Sequence, residues 1–160
     1  MDFKDRLERA IQRGQRSSDA DARARAEQAT SEEEFRRLHS QYRLELSEHI
    51  EQCLRELSRH FPGFRYETMV GDRGWGGVIN RDDFSLVEGR RSNLFSRLEL
   101  VVRPFTASHV LDLNAKGTVR NRELFSRAQY QRLTEVDLQL LTDSIDRWVL
   151  EYAELYAAKT

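Results

Sequence analysis

This sequence has little of what marks most recognisable functions. One cysteine stands among 160 residues, Cys53, so no disulfide can form within the chain. That suits a reducing compartment, and the expected setting is cytoplasmic. There are two prolines and no apolar run approaching the roughly 20 residues a membrane helix needs. The opening Met1-Asp2-Phe3-Lys4-Asp5 is charged throughout, so no apolar leader core is expected and no membrane partner is implied. Net charge is −1, which gives no global attraction to nucleic acid or lipid. Hydrophobic residues are only 39%, low enough to expect a segment of exposed helix outside the core.

What is present is strong periodicity. Phe3, Leu7, Ala10 and Ile11 recur at helical spacing, and Gly14 is expected to end that first helix. From Gly14 to Glu34 no apolar side chain exceeds alanine, so residues 1–30 read as a helical arm. Ser31-Glu32-Glu33-Glu34 has the form of a capping box. Behind it Phe35, Leu38, Tyr42, Leu46, Ile50, Cys53, Leu54 and Leu57 step by three and four, which predicts one long amphipathic helix over 31–61, closed by Pro62-Gly63.

The period then changes from 3.6 to 2. Phe64, Tyr66, Thr68 and Val70 alternate with polar residues, as a half-buried strand requires. Gly71 to Gly77 reads as a loop; its glycines do not match a phosphate-binding fingerprint, and no helix start follows it. A second strand is expected through 78–86 with a break at 81–83, a polar loop at 88–93, a third strand at 94–102, a fourth at 110–113 and a fifth at 119–125. Asn114-Ala115-Lys116-Gly117 fits a three-residue hairpin turn, with Gly117 at positive φ and Leu113 opposite Val119. That register also sets Asp112 opposite Arg120. A final helix is expected over 134–158, capped at Thr134, with the stripe Leu141, Ile145, Trp148, Val149, Tyr152, Leu155 and Tyr156. The order helix, strands, helix implies an α+β fold: one domain over 1–160, with an antiparallel meander of four to five strands over 64–125 packed against the two helices.

The stretch Leu-Asn-Ala-Lys-Gly-Thr-Val-Arg-Asn-Arg-Glu-Leu-Phe-Ser-Arg-Ala-Gln-Tyr at 113–130 resembles an uncharacterised family of planctomycete-type bacterial proteins. The resemblance implies no activity and carries no functional residues.

Chemistry-bearing residues are sparse. His49 and Cys53 stand four apart on the long helix and share a face, but two ligands make no metal site and no third stands at matching spacing. No cofactor is implied, and no nucleophile with its base can be assembled, so an enzyme is the weakest reading. The one charge asymmetry lies at 89–132, where nine basic side chains face three acidic ones. Phe95, Arg97 and Arg103 share the face of the third strand opposite its leucines, and Arg120 and Arg122 share a face of the fifth. A sheet face with arginines and an aromatic is the general form of a nucleic-acid platform; pairing with the acidic final helix is the blander alternative and takes precedence. Trp75, between glycines, is a candidate anchor for a partner, though folding back over the sheet edge is preferred. The sequence therefore favours a non-enzymatic interaction protein forming homo-oligomers through surplus helical surface, with an arginine-face binder of nucleic acid or another anion as the alternative.

Overall fold

A computed structural model describes residues 2–159, and their side chains except those of Ala29, Ser85, Val87 and Lys159. Met1 and Thr160, the ends of the expected single domain, lie outside the described residues. The elements run α1 (Phe3–His60), β1 (Arg65–Gly71), β2 (Gly74–Val87), β3 (Arg90–Val102), β4 (Val110–Val119), β5 (Arg122–Arg132), a 3-10 turn at Leu133–Glu135 and α2 (Leu138–Lys159). All five strands form one antiparallel sheet in the order β1-β2-β3-β4-β5. The fold is the expected α+β meander with a long N-terminal helix and a C-terminal helix. By its contacts the chain divides into two compact units, one reaching to Arg37 and the other starting at Leu38.

The expected break at Gly14 and the cap at Ser31 are both absent, because α1 continues through them. A glycine inside a helix costs about 1 kcal/mol, which the neighbouring alanines, arginines and glutamines only partly offset. Near Ser31, Thr30 turns its hydroxyl back onto the helix and donates to the Ala26 carbonyl at 2.9 Å, so its neighbourhood is helix interior and not a start.

The second unit has a core on one face of the sheet. Leu46, Ile50, Leu54 and Leu57 of α1 and Leu141, Ile145, Tyr152 and Tyr156 of α2 are buried together with Ile79, Leu98, Leu100, Leu111 and Leu113 of the strands. Every second residue of β4 from Leu111 to Val119 is buried, the alternation of a half-solvated strand. At the start of α2 the cap is Asp137, whose carboxylate accepts from the Leu140 amide at 3.2 Å, and not Thr134.

The turns differ most from expectation. Gly71–Gly77 is not a loop. The chain reverses at Asp72-Arg73, and Gly74, Gly76 and Gly77 belong to β2, which runs unbroken through 81–83. The polar residues at 88–93 form a two-residue turn at Glu88-Gly89, both at positive φ, with 90–93 already in β3. The hairpin placed at Asn114–Gly117 does not exist. Those residues lie inside β4, and the reversal falls at Arg120-Asn121, with φ of 47° and 67°. The Asn121 side chain holds that turn by accepting from the Phe95 amide and donating to the Asn93 carbonyl, both at 2.8 Å. Leu113 accordingly pairs with Val102 and Gln129, Asp112 faces Tyr130, and β5 extends to Arg132.

Gly117 is needed for its missing side chain and not for its torsion. A Cβ there would stand 2.8 Å from the Phe125 ring and 3.0 Å from that of Tyr152. The Tyr152 hydroxyl crosses the strand to donate to the Thr118 carbonyl at 2.8 Å. We therefore expect Gly117→Ala to destabilise by about 1–3 kcal/mol through overpacking. Gly71→Ala, in open space on an exposed strand end, should cost much less. Equilibrium urea unfolding of both variants checks this, and equal costs would disprove the packing account.

Candidate functional site

The six residues proposed for binding do not form one patch. Phe95 and Arg97 lie on the face of β3 opposite Leu98 and Leu100, half-buried. Beside them sits Glu99, almost fully buried although it points to the same face. Arg73 donates to its carboxylate at 3.2 Å, and Arg97 stands 4.0 Å away. Arg103 lies just past β3 with an exposed side chain, and it joins Arg73, Glu99, Asn114 and Lys116 around a depression of about 280 Å³. Arg120 and Arg122 are elsewhere, exposed at the β4–β5 turn next to the Phe95 backbone. Trp75 is on the other face, where the Arg43 guanidinium of α1 stacks 3.9 Å above its ring. It folds back onto the helix, which closes it as a free anchor. The basic region does meet α2 through Arg127, which donates to Glu151 at 2.8 Å, although Arg127 is not among the arginines expected to pair there.

The backbone of Arg103 has a second role. Its carbonyl accepts from Nε2 of His39 at 3.1 Å, and the His39 ring packs edge-on against Phe105. His39 is buried, and that burial lowers its pKa below 6.5; the carbonyl opposes the shift and the Arg43 charge adds to it.

A different cluster is the more chemically distinctive. His49 and Cys53 occupy one face of α1 and meet Asp146 of α2. The His49 Nε2–H donates to Asp146 Oδ1 at 2.7 Å, and the Cys53 thiol donates to the same oxygen at 3.4 Å. Cys53 Sγ is 3.6 Å from His49 Nε2. Burial, then the hydrogen bond and charge of Asp146, push the Cys53 thiol up to about 12. This is not a cysteine-protease arrangement. A base would need its carboxylate on the far ring nitrogen, whereas Asp146 occupies the nitrogen that faces the sulfur, and the thiol is held protonated.

Cys53 and Asp146 also form part of the wall of a groove between α1 and α2, of about 760 Å³, with Leu57, Phe61, Val149 and Leu150 as its apolar lining. The first half of the trio was visible in sequence as an i, i+4 pair on one helix face. Its third member was not, because Asp146 belongs to the charged side of another helix and only the packing of α1 against α2 brings it near.

Compared with protein-family models, with curated proteins and with solved structures, the chain matches none. Among the described residues no helix is long and apolar enough to cross a membrane.

His39 gives a pH prediction. Its folded pKa is depressed, so the unfolded chain takes up the proton first and stability is complete only above the unfolded value near 6.5. As pH falls below 6.5 toward the folded pKa, that contribution is lost. Urea midpoints measured between pH 7.5 and 5 should fall more for the native protein than for His39→Gln. Parallel curves for the two proteins would contradict the assignment.

Proposed function

We propose that this protein is a non-enzymatic interaction module that associates with a second copy of itself through the N-terminal part of α1. The observation that supports this is the exposure of Phe3 (76%), Leu7 (46%) and Ile11 (51%), three large apolar side chains on one face of successive turns. Among the described side chains from Asp2 to Ser31, every one is exposed. A helix with no tertiary packing is marginal in water, and Gly14, Ser17 and Ser18 weaken this one further. A partner that buried the Phe3-Leu7-Ile11 stripe would supply the missing stabilisation. Phe3, Leu7 and Ala10 also step by four and three, the spacing of a coiled-coil seam. Closed symmetric pairs are the commonest soluble oligomers, so a second copy is the partner this reading adopts. A cytoplasmic setting accompanies it, since the lone cysteine needs no oxidising compartment.

Anion or nucleic-acid binding at the depression ringed by Arg73, Arg103 and Lys116 ranks lower. The buried Glu99 carboxylate in the same depression cancels part of the positive field an anion would meet. Arg120 and Arg122 lie apart from it.

Sedimentation of the full chain across a wide concentration range tests the main reading. The mass should rise above the 18.8 kDa of one chain, and the double variant Leu7→Asp/Ile11→Asp should return it to that value. A native protein that remains at 18.8 kDa throughout rules the proposal out.

A further inference from the structure

We propose that His49, Cys53 and Asp146 form a binding site for one divalent cation of the zinc class, with its open coordination position facing the groove between α1 and α2.

An imidazole nitrogen, a sulfur and a carboxylate oxygen converge, and their atoms all lie within 4.8 Å of one another. Sulfur with imidazole selects zinc-like ions over calcium or magnesium, which prefer all-oxygen shells. Tetrahedral zinc with bonds of about 2.0–2.3 Å places its ligand atoms roughly 3.3–3.6 Å apart. The pairs involving Cys53 Sγ already stand at 3.4 and 3.6 Å. Only the 2.7 Å contact between His49 and Asp146 must open, by about 0.6 Å to reach that geometry. The Asp146 side chain is half exposed and can make that move, while His49 and Cys53 are fixed one helical turn apart on α1.

Three protein ligands leave a fourth position, the form of a reactive or ligand-accepting zinc site and not of a closed structural one. Cys53 and Asp146 both line the groove, so the vacant position opens into it. The groove's apolar walls, Leu57, Phe61, Val149 and Leu150, suit a ligand with an apolar body whose polar head reaches the ion. On binding, the sulfur–metal bond forms as the Cys53 S–H breaks, and the proton passes to solvent. The His49–Asp146 hydrogen bond is exchanged for two bonds to the ion, with His49 presenting its neutral Nε2 lone pair and the ring proton moved to Nδ1. The competing account is that the trio is only a hydrogen-bonded contact between α1 and α2.

Cobalt(II) substitutes for zinc and reports its ligands by colour. The full-length, chelator-treated protein should be titrated with cobalt(II) at neutral pH, with circular dichroism confirming that it is folded. We expect a thiolate-to-cobalt charge-transfer band and visible bands of tetrahedral strength that saturate at one equivalent, and added zinc should bleach them. Asp146→Asn, an isosteric change at a half-exposed position, should weaken cobalt binding at least tenfold, and Cys53→Ser should abolish the charge-transfer band. A folded native protein that gives no such band overturns the proposal. So does a band that survives Asp146→Asn and His49→Gln at unchanged affinity, since that would be a thiolate acting alone.

Discussion

Two of the sheet's glycines, Gly77 and Gly117, lie under helix side chains, and the helices seat where they do because of it. Gly77 of β2 and Gly117 of β4 flank the same stretch of β3, pairing with Leu100 and Leu98. A Cβ on Gly77 would stand 3.1 Å from the Leu54 side chain of α1 and 2.8 Å from the Tyr66 ring. A Cβ on Gly117 would meet Tyr152 of α2 and the Phe125 ring of its cross-strand partner. Each helix thus occupies one bay. Aromatic rings close both bays over the bare backbone, the usual remedy for glycine in a strand. The Tyr152 hydroxyl then finds the Thr118 carbonyl, so a large amphipathic side chain is buried with its polar end satisfied.

That seating sets the chemistry. With α1 over one bay and α2 over the other, the helices lie side by side, and the Phe61 and Tyr156 rings meet at 4.8 Å. His49 and Cys53 then face Asp146 across the seam, and the apolar groove opens next to them. A shift of one helix by a residue would separate the donors, because the three atoms tolerate only a fraction of an ångström in a bonded arrangement. The site is thus a consequence of packing at the glycine bays on the sheet below it.

Much of the fold was legible from periodicity. The α1 stripe is buried at Leu46, Ile50, Leu54 and Leu57 and only half-buried at Phe35, Leu38, Tyr42 and Cys53; the α2 stripe from Leu141 to Tyr156 is buried except at Leu155, and residues 65–70 and 94–102 fall in strands, although Val70 is exposed. The differences between expectation and structure centre on glycine. Gly74 does mark backbone freedom, with φ of 130° next to the Asp72-Arg73 turn, but Gly14 interrupts nothing, and Gly77 and Gly117 make room for side chains. The actual reversal at Arg120-Asn121 carries no glycine; its asparagine tolerates the left-handed region and holds the turn by its own side chain. The candidate site was half legible. The spacing of His49 and Cys53 is written in one helix, but Asp146 is a long-range contact that no local pattern announces. Trp75 and the scattered arginines show the reverse: they share a composition in sequence and are dispersed by the fold.

A double-mutant cycle between Gly117→Ala and Tyr152→Leu tests the bay directly. If the ring of Tyr152 is what forbids a side chain at 117, the alanine should cost clearly less once leucine replaces the tyrosine, with a coupling of about 0.5–3 kcal/mol in urea unfolding. Costs that add to within about 0.5 kcal/mol would mean the two sites are independent, and the claim that helix placement rests on the glycine bays would fail.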